Sequence, residues 1–306
     1  MNESGAPTLL PENYSDKVFA ILLGLADGAT HAREDEEPGA TEILNLYLAD
    51  GLLEALEWAN DGVASDEAAC LWLAALRGYR FLTGSFPEGA PEPQDRWLDT
   101  ELAATDFDHP PLPGDPLTLA GLNHADMGLA ARPTGPGADS TGVLPRAAVV
   151  ALLARVPETT TTSLARSAAY LTHDADAAAT CVAAALIMRS ALESGAQAAE
   201  TWPSLLEGTS GPAAAALAQT VSSVSAVLEL PATEAYASYF GERVSEEDAE
   251  TDEDPQTVEP RDPEADAYAV ALLAAVYGSD VIGERPASSL DAAISLLHDR
   301  WMDLIA

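Results

Sequence analysis

The spacing of apolar residues most constrains this chain, because they return every three or four positions in nearly every segment that is not loop. Val18, Ile21, Leu22 and Leu25 form one stripe; Ile43, Leu44, Tyr47, Leu48, Leu52, Leu56 and Ala59 form a longer one. That period puts the apolar side chains on one face of an α-helix. Runs of alternating β-branched residues are nearly absent, so the pattern predicts an all-α fold. No linker separates two self-sufficient helical patterns, and residues 1–306 read as a single compact multi-helix domain.

The first helix follows "NYSDK" and is expected to end near Gly24 or Gly28; the second starts near Thr41 and is stopped by Asn60, Asp61 and Gly62. Ser65 is the N-cap candidate of the third, with Glu67 in its first turn. Residues 84–115 hold too many prolines for one long helix and predict an extended connection with a short helix around Leu98. Further helices are expected at Leu117–Gly121 and beyond, and from Pro145, where proline suits a first turn. "TTTTSLARSAAYLTHDADAAATCVAAALIMRSALESG" reads as two helices joined at Thr172–Asp174, and "WPSLLEG" and "GPAAAALAQTVSSVSAVLEL" add more helix. The acidic stretch 243–264 is expected to be a mobile surface loop. "AYAVALLAAVYG" and "SSLDAAISLLHDRWMDLIA" close the chain as a helical pair.

Fifty acidic residues against fourteen basic ones give a formal charge of -36, and Lys17 is the sole lysine. A field of that sign repels phosphate backbones and anionic lipid, which argues against nucleic-acid and membrane partners. Cys70 and Cys181 sit among alanines and leucines and read as small core residues. The first sixteen residues lack a basic start followed by an apolar run, and no 18-residue apolar stretch is expected to cross a membrane, so a cytoplasmic location is expected.

Several segments together resemble the ADP-ribosylglycohydrolase family. "ILLGLADGATHA" resembles its opening GLAxGDALG helix and turn, "GATEILNLYLADGLLEAL" its DDTQM segment and following helix, and "ADSTGVLPRAAVVALL" its DSKGCGGVMRAAPVGLL loop and helix. "ARSAAYLTHDADAAATCVAAALIMRSAL" resembles the helix, LTH turn and helix that come next. The resemblance implies an all-helical fold and, in most members, two magnesium ions that hydrolyse the bond at the anomeric carbon of an ADP-ribosyl group.

The match departs from the family where metal ligands are needed. Thr41 and Glu42 keep the threonine and the acid after it, but the two preceding aspartates fall on Gly39 and Ala40, and the opening aspartate falls on Ala29. The late AVNxxGDxDT motif is expected after "SSLDAAISLL", where His298 and Asp299 are the only polar pair. Magnesium takes about six hard oxygens, several from carboxylates, so no metal ligand is assigned and no cofactor is expected. The resemblance then implies a pseudoenzyme that binds an ADP-ribose-like small molecule or a protein. The alternative is a Mg2+-dependent hydrolase with a rearranged site drawing on Asp27, Glu42 and the carboxylates at 34–37.

Glu42 and Asp27 are the candidate catalytic residues, although Glu42 in a first turn also complements a helix dipole and Asp27 also suits a turn. Asp139, Ser140, Arg146 and His173 are the candidate ligand-binding residues, since their counterparts stand near the family's ribose and phosphate side. Glycine-rich turns expose backbone donors suited to phosphate, but "TGV" here replaces "KGCGG". Thr41 is expected to cap its helix or hydrogen-bond in its first turn, with a retained ligand role as the alternative, and His173 to cap or pack at a helix junction. His124 and Asp126 lack metal spacing, and Trp72 and Trp97 read as packing aromatics.

Overall fold

The computed structural model describes residues 9–33, 38–105, 107, 111, 113–241, 261–283, 285 and 287–305. These form thirteen α-helices: α1 (Tyr14–Arg33), α2 (Ala40–Asn60), α3 (Glu67–Thr83), α4 (Trp97–Ala104), α5 (Pro116–Leu122), α6 (Leu144–Ala151), α7 (Glu158–Tyr170), α8 (Ala175–Ser194), α9 (Trp202–Leu205), α10 (Pro212–Val227), α11 (Ala232–Phe240), α12 (Pro263–Tyr277) and α13 (Asp291–Ile305). An isolated antiparallel bridge joins Leu129 and Arg132, and no strand forms among the described residues. The all-α expectation is met.

Helix α1 does not stop at Gly24 or Gly28, because both glycines face α12. A Cβ on Gly24 would lie 3.1 Å from the Ala271 nitrogen, and one on Gly28 would lie 2.5 Å from the Asp266 carbonyl oxygen. The α12 partner falls from Ala271 to Asp266 as α1 advances from Gly24 to Gly28, so the helices run antiparallel at a separation that only glycine permits. Close backbone approach offsets the helix propensity that the glycines lack, about 1 kcal/mol each.

Helices α6 and α12 are the innermost. All eight residues of α6 are buried, as are twelve consecutive residues of α12 from Glu264 to Ala275. Apolar character all round marks such buried helices. Helix α8 packs on α7, α6, α12 and α10. The span Ala175–Glu200 is apolar and long enough to cross a membrane by composition, contrary to the expectation that no such stretch occurs, but 67 % of its apolar window is buried in the fold. One hydrophobic cluster runs from Tyr14 on α1 to Trp301 on α13 and includes Cys181; both cysteines are buried free thiols.

Polar groups fix the corners. The third helix is capped by Asp66, whose Oδ1 accepts from the Ala69 N–H at 3.1 Å, and not by Ser65. Arg77 of α3 donates to Asp50 of α2 at 2.5 Å and to Asp99 of α4 at 2.6 Å, with all three side chains buried. Arg96 also donates to Asp50 at 3.0 Å. This cluster ties the short helix near Leu98 to the rest of the fold.

Candidate functional site

Four segments distant in sequence converge at the head of α12: the first turn of α2, the 113–115 approach to α5, the turn before α6, and the α7–α8 junction. Asp262 caps α12, its Oδ1 accepting from the N–H groups of Glu264 and Ala265 at 3.0 Å each, and its Oδ2 accepting from Thr141 Oγ1 at 2.7 Å. Glu264 then projects towards α2. Its Oε1 accepts from Thr41 Oγ1 at 2.6 Å and from the Asp115 N–H at 3.0 Å. Thr41 is therefore not the cap of α2, a position held by Gly39, but a bridge to α12. Burial, with Asp262 and Asp115 nearby, raises the Glu264 pKa to about 7 against the pull of the Thr41 hydrogen bond.

A second network begins at Arg146 inside α6. Its guanidinium donates to the carbonyls of Gly142 and Ala168, to Thr118 Oγ1 at 2.8 Å and to Thr172 Oγ1 at 2.6 Å. Arginine only donates, so Thr172 Oγ1 accepts from it, and it lies 2.6 Å from His173 Nδ1. His173 Nε2 lies 2.7 Å from Ser140 Oγ and 3.5 Å from Asp115 Oδ2, and it carries the ring proton when the Thr172 hydroxyl donates to Nδ1. Burial lowers the His173 pKa despite the Asp115 contact, leaving the ring neutral near pH 7. Burial alone would raise the Asp115 carboxyl, but hydrogen bonds from His173, the Thr118 N–H and Ser140 hold it well below the usual carboxylate range.

The structure thus brings Ser140, Arg146 and His173 into one network and leaves the other candidates elsewhere. Asp139 turns to α10, where its Oδ1 accepts from the Ala213 N–H at 3.3 Å in the first turn. Asp27 accepts a hydrogen bond from the Tyr236 hydroxyl of α11. Glu42 pairs with Arg33: Nη2 donates to Oε1, Nη1 to Oε2 at 3.3 Å, and Thr30 Oγ1 also to Oε1 at 3.3 Å. Among the described residues no hydrogen bond joins Asp27 to Glu42. The carboxylates at 34–37 and residues 243–260 of the acidic stretch lie outside the described residues.

Sequence reading missed Asp115, Thr118, Asp262 and Glu264. Asp115 before Pro116 and Asp262 before Pro263 both carried the signal of a helix cap ahead of a first-turn proline. Both were absorbed into segments that looked like loop. His298 and Asp299 stand elsewhere, with His298 Nε2 3.1 Å from Ser15 Oγ at the start of α1. The end of the stretch expected to be mobile is in fact the head of a core helix.

Among the described residues the donor set around Thr41 does not fit two magnesium ions. Gly39, Ala40 and Ala29 offer no side-chain oxygen, both oxygens of Glu42 face Arg33, and among the described residues no three His, Cys, Asp or Glu side chains form a metal-holding group. The space beside Thr41, walled by Asn45, Asp115, Thr118 and Arg146, measures about 20 Å³. The buried Asn45 Nδ2 lines it without a protein acceptor. No curated protein matches the chain significantly. The ADP-ribosylglycohydrolase family model matches residues 10–300, nearly the whole chain, and the all-helical fold agrees with it: the chain belongs to the ADP-ribosylglycohydrolase family.

Proposed function

We propose that this chain is a divergent family member that does not use the family's dimagnesium hydrolysis and works as a binding protein, its partner an ADP-ribose-like small molecule or a protein. One observation supports setting the dimagnesium reaction aside: the space beside Thr41, where the family resemblance puts it, is about 20 Å³, so any such partner must bind elsewhere on the fold. Ligand pockets run to about 300–1,000 Å³, and a cavity of this size suits a single water. The hydrogen bonds of Arg146, His173 and Ser140 run inward to one another, so these groups hold the turn before α6 and the α7–α8 junction in register.

A rearranged hydrolase is the second reading, favoured by the gathering of Asp115, Asp262 and Glu264 around Thr41. Calorimetric titration with ADP-ribose, in magnesium and then in EDTA, separates the two when paired with an assay for ADP-ribose released from an ADP-ribosylated arginine peptide. Binding that survives EDTA with no release supports the binding protein. Magnesium-dependent release overturns it in favour of the hydrolase, and no heat in either buffer removes ADP-ribose and leaves a protein as the partner.

A further inference from the structure

We propose that Arg33 is a built-in cation at the α1–α2 corner, its guanidinium filling the space that a side chain at position 39 would take and holding Glu42 as a metal ion would. The inference rests on the reading that the dimagnesium centre is gone.

Three independent features converge on this corner. A Cβ placed on Gly39 would lie 3.1 Å from Arg33 Nη1, 3.2 Å from its Cζ and 3.1 Å from Glu42 Oε2. An acid at 39 would therefore press on the guanidinium and on Glu42, and the guanidinium would have to give by a few tenths of an ångström to admit it. Glycine at 39 leaves Arg33 its place against Glu42.

The Glu42 side chain is wholly buried and the Arg33 side chain is 12 % exposed. A buried carboxylate needs a positive partner, and the planar guanidinium meets both of its oxygens in a fork that matches carboxylate geometry. Thr30 adds a neutral donor from the preceding turn of α1.

Each charge also sits where its helix favours it. Arg33 is the last residue of α1, where carbonyls are unpaired, and Glu42 is in the first turn of α2, where N–H groups are unpaired. A divalent ion approaching Glu42 would meet the fixed guanidinium charge first. The corner is consequently complete without any ion from solution.

Thermal unfolding in millimolar magnesium and in EDTA tests this on the full chain. Wild type is expected to keep one Tm in both. Arg33→Ala is expected to lose roughly 5–10 °C by leaving Glu42 buried and uncompensated, and to regain part of that loss in magnesium, which then reaches the carboxylate. Arg33→Met with Glu42→Gln is expected to recover most of the loss with no response to magnesium, and it decides the matter if Arg33→Ala does not fold. A magnesium-dependent rise of the wild-type Tm overturns the proposal, as does a double variant no more stable than Arg33→Met alone. Metal-independent release of ADP-ribose by wild type would overturn the functional reading and leave the role of Arg33 standing.

Discussion

Thr41 Oγ1 donates to Glu264 Oε1 at 2.6 Å, joining residues 223 positions apart and pinning the first turn of α2 to the head of α12. Both residues are buried. The bond joins helices distant in the chain, and burial there makes the protonation of Glu264 a matter of tertiary stability.

Burial raises the Glu264 pKa from the ordinary 4.5 to about 7, so the folded state binds this proton more tightly than the unfolded one. The resulting stability is complete below the unfolded value and is lost as pH rises through about 7, at about 1.4 kcal/mol per pKa unit. Wild type is expected to lose stability between pH 5 and 8 relative to Glu264→Gln, which keeps the hydrogen-bond geometry without the ionisation. Urea midpoints of both proteins across that range provide the check, and parallel curves would refute it.

Gly28→Ala is expected to destabilise the fold by about 1–3 kcal/mol, the usual cost of overpacking. Its Cβ would press on the Asp266 carbonyl at 2.5 Å and on Ala267 Cα at 2.9 Å, driving α1 off α12. Denaturant unfolding measures the loss; an unchanged midpoint would show that the helices separate freely.

Arg77→Met is expected to cost about 3–5 kcal/mol, because Asp50 and Asp99 would keep their buried charges without the cation between them. Molar salt should not restore the loss, since buried pairs are weakly screened. Urea melts at low and high salt test both points, and a salt-rescued variant would place the cluster in solvent.

His173 is expected to carry its proton on Nε2, with Nδ1 accepting from Thr172. Nitrogen NMR of the imidazole distinguishes the tautomers directly. Thr172→Val should release that preference and destabilise by about 1–3 kcal/mol by stranding buried groups of Arg146 and His173. A wild-type ring protonated on Nδ1 would reverse the polarity of the whole network.

Much of the helix pattern was legible in the sequence. Stripes such as Ile43, Leu44, Tyr47 and Leu48 depend only on a helical period, and the breaks at Asp61–Gly62 and at Thr172–Asp174 depend on local turn chemistry. The site was less legible. Glu42 and His173 were picked out by the family resemblance, but their partners Arg33 and Asp115 lie in other segments. Asp262 and Glu264 were hidden because a run of acids reads as solvated loop until a helix is packed beneath it.

The sequence by itself determined an all-α chain with an alanine-rich core, since helical periodicity is written in neighbours three and four apart. It also determined what the corner lacks, because Gly39 and Ala40 have no side-chain oxygen to offer in any fold. Only the tertiary structure decided that Arg33 meets Glu42, that Thr41 reaches Glu264, and that Arg146 orders His173. Those pairings arise when helices distant in the chain bury polar groups together, and burial obliges each group to find its partner wherever the packing has placed one.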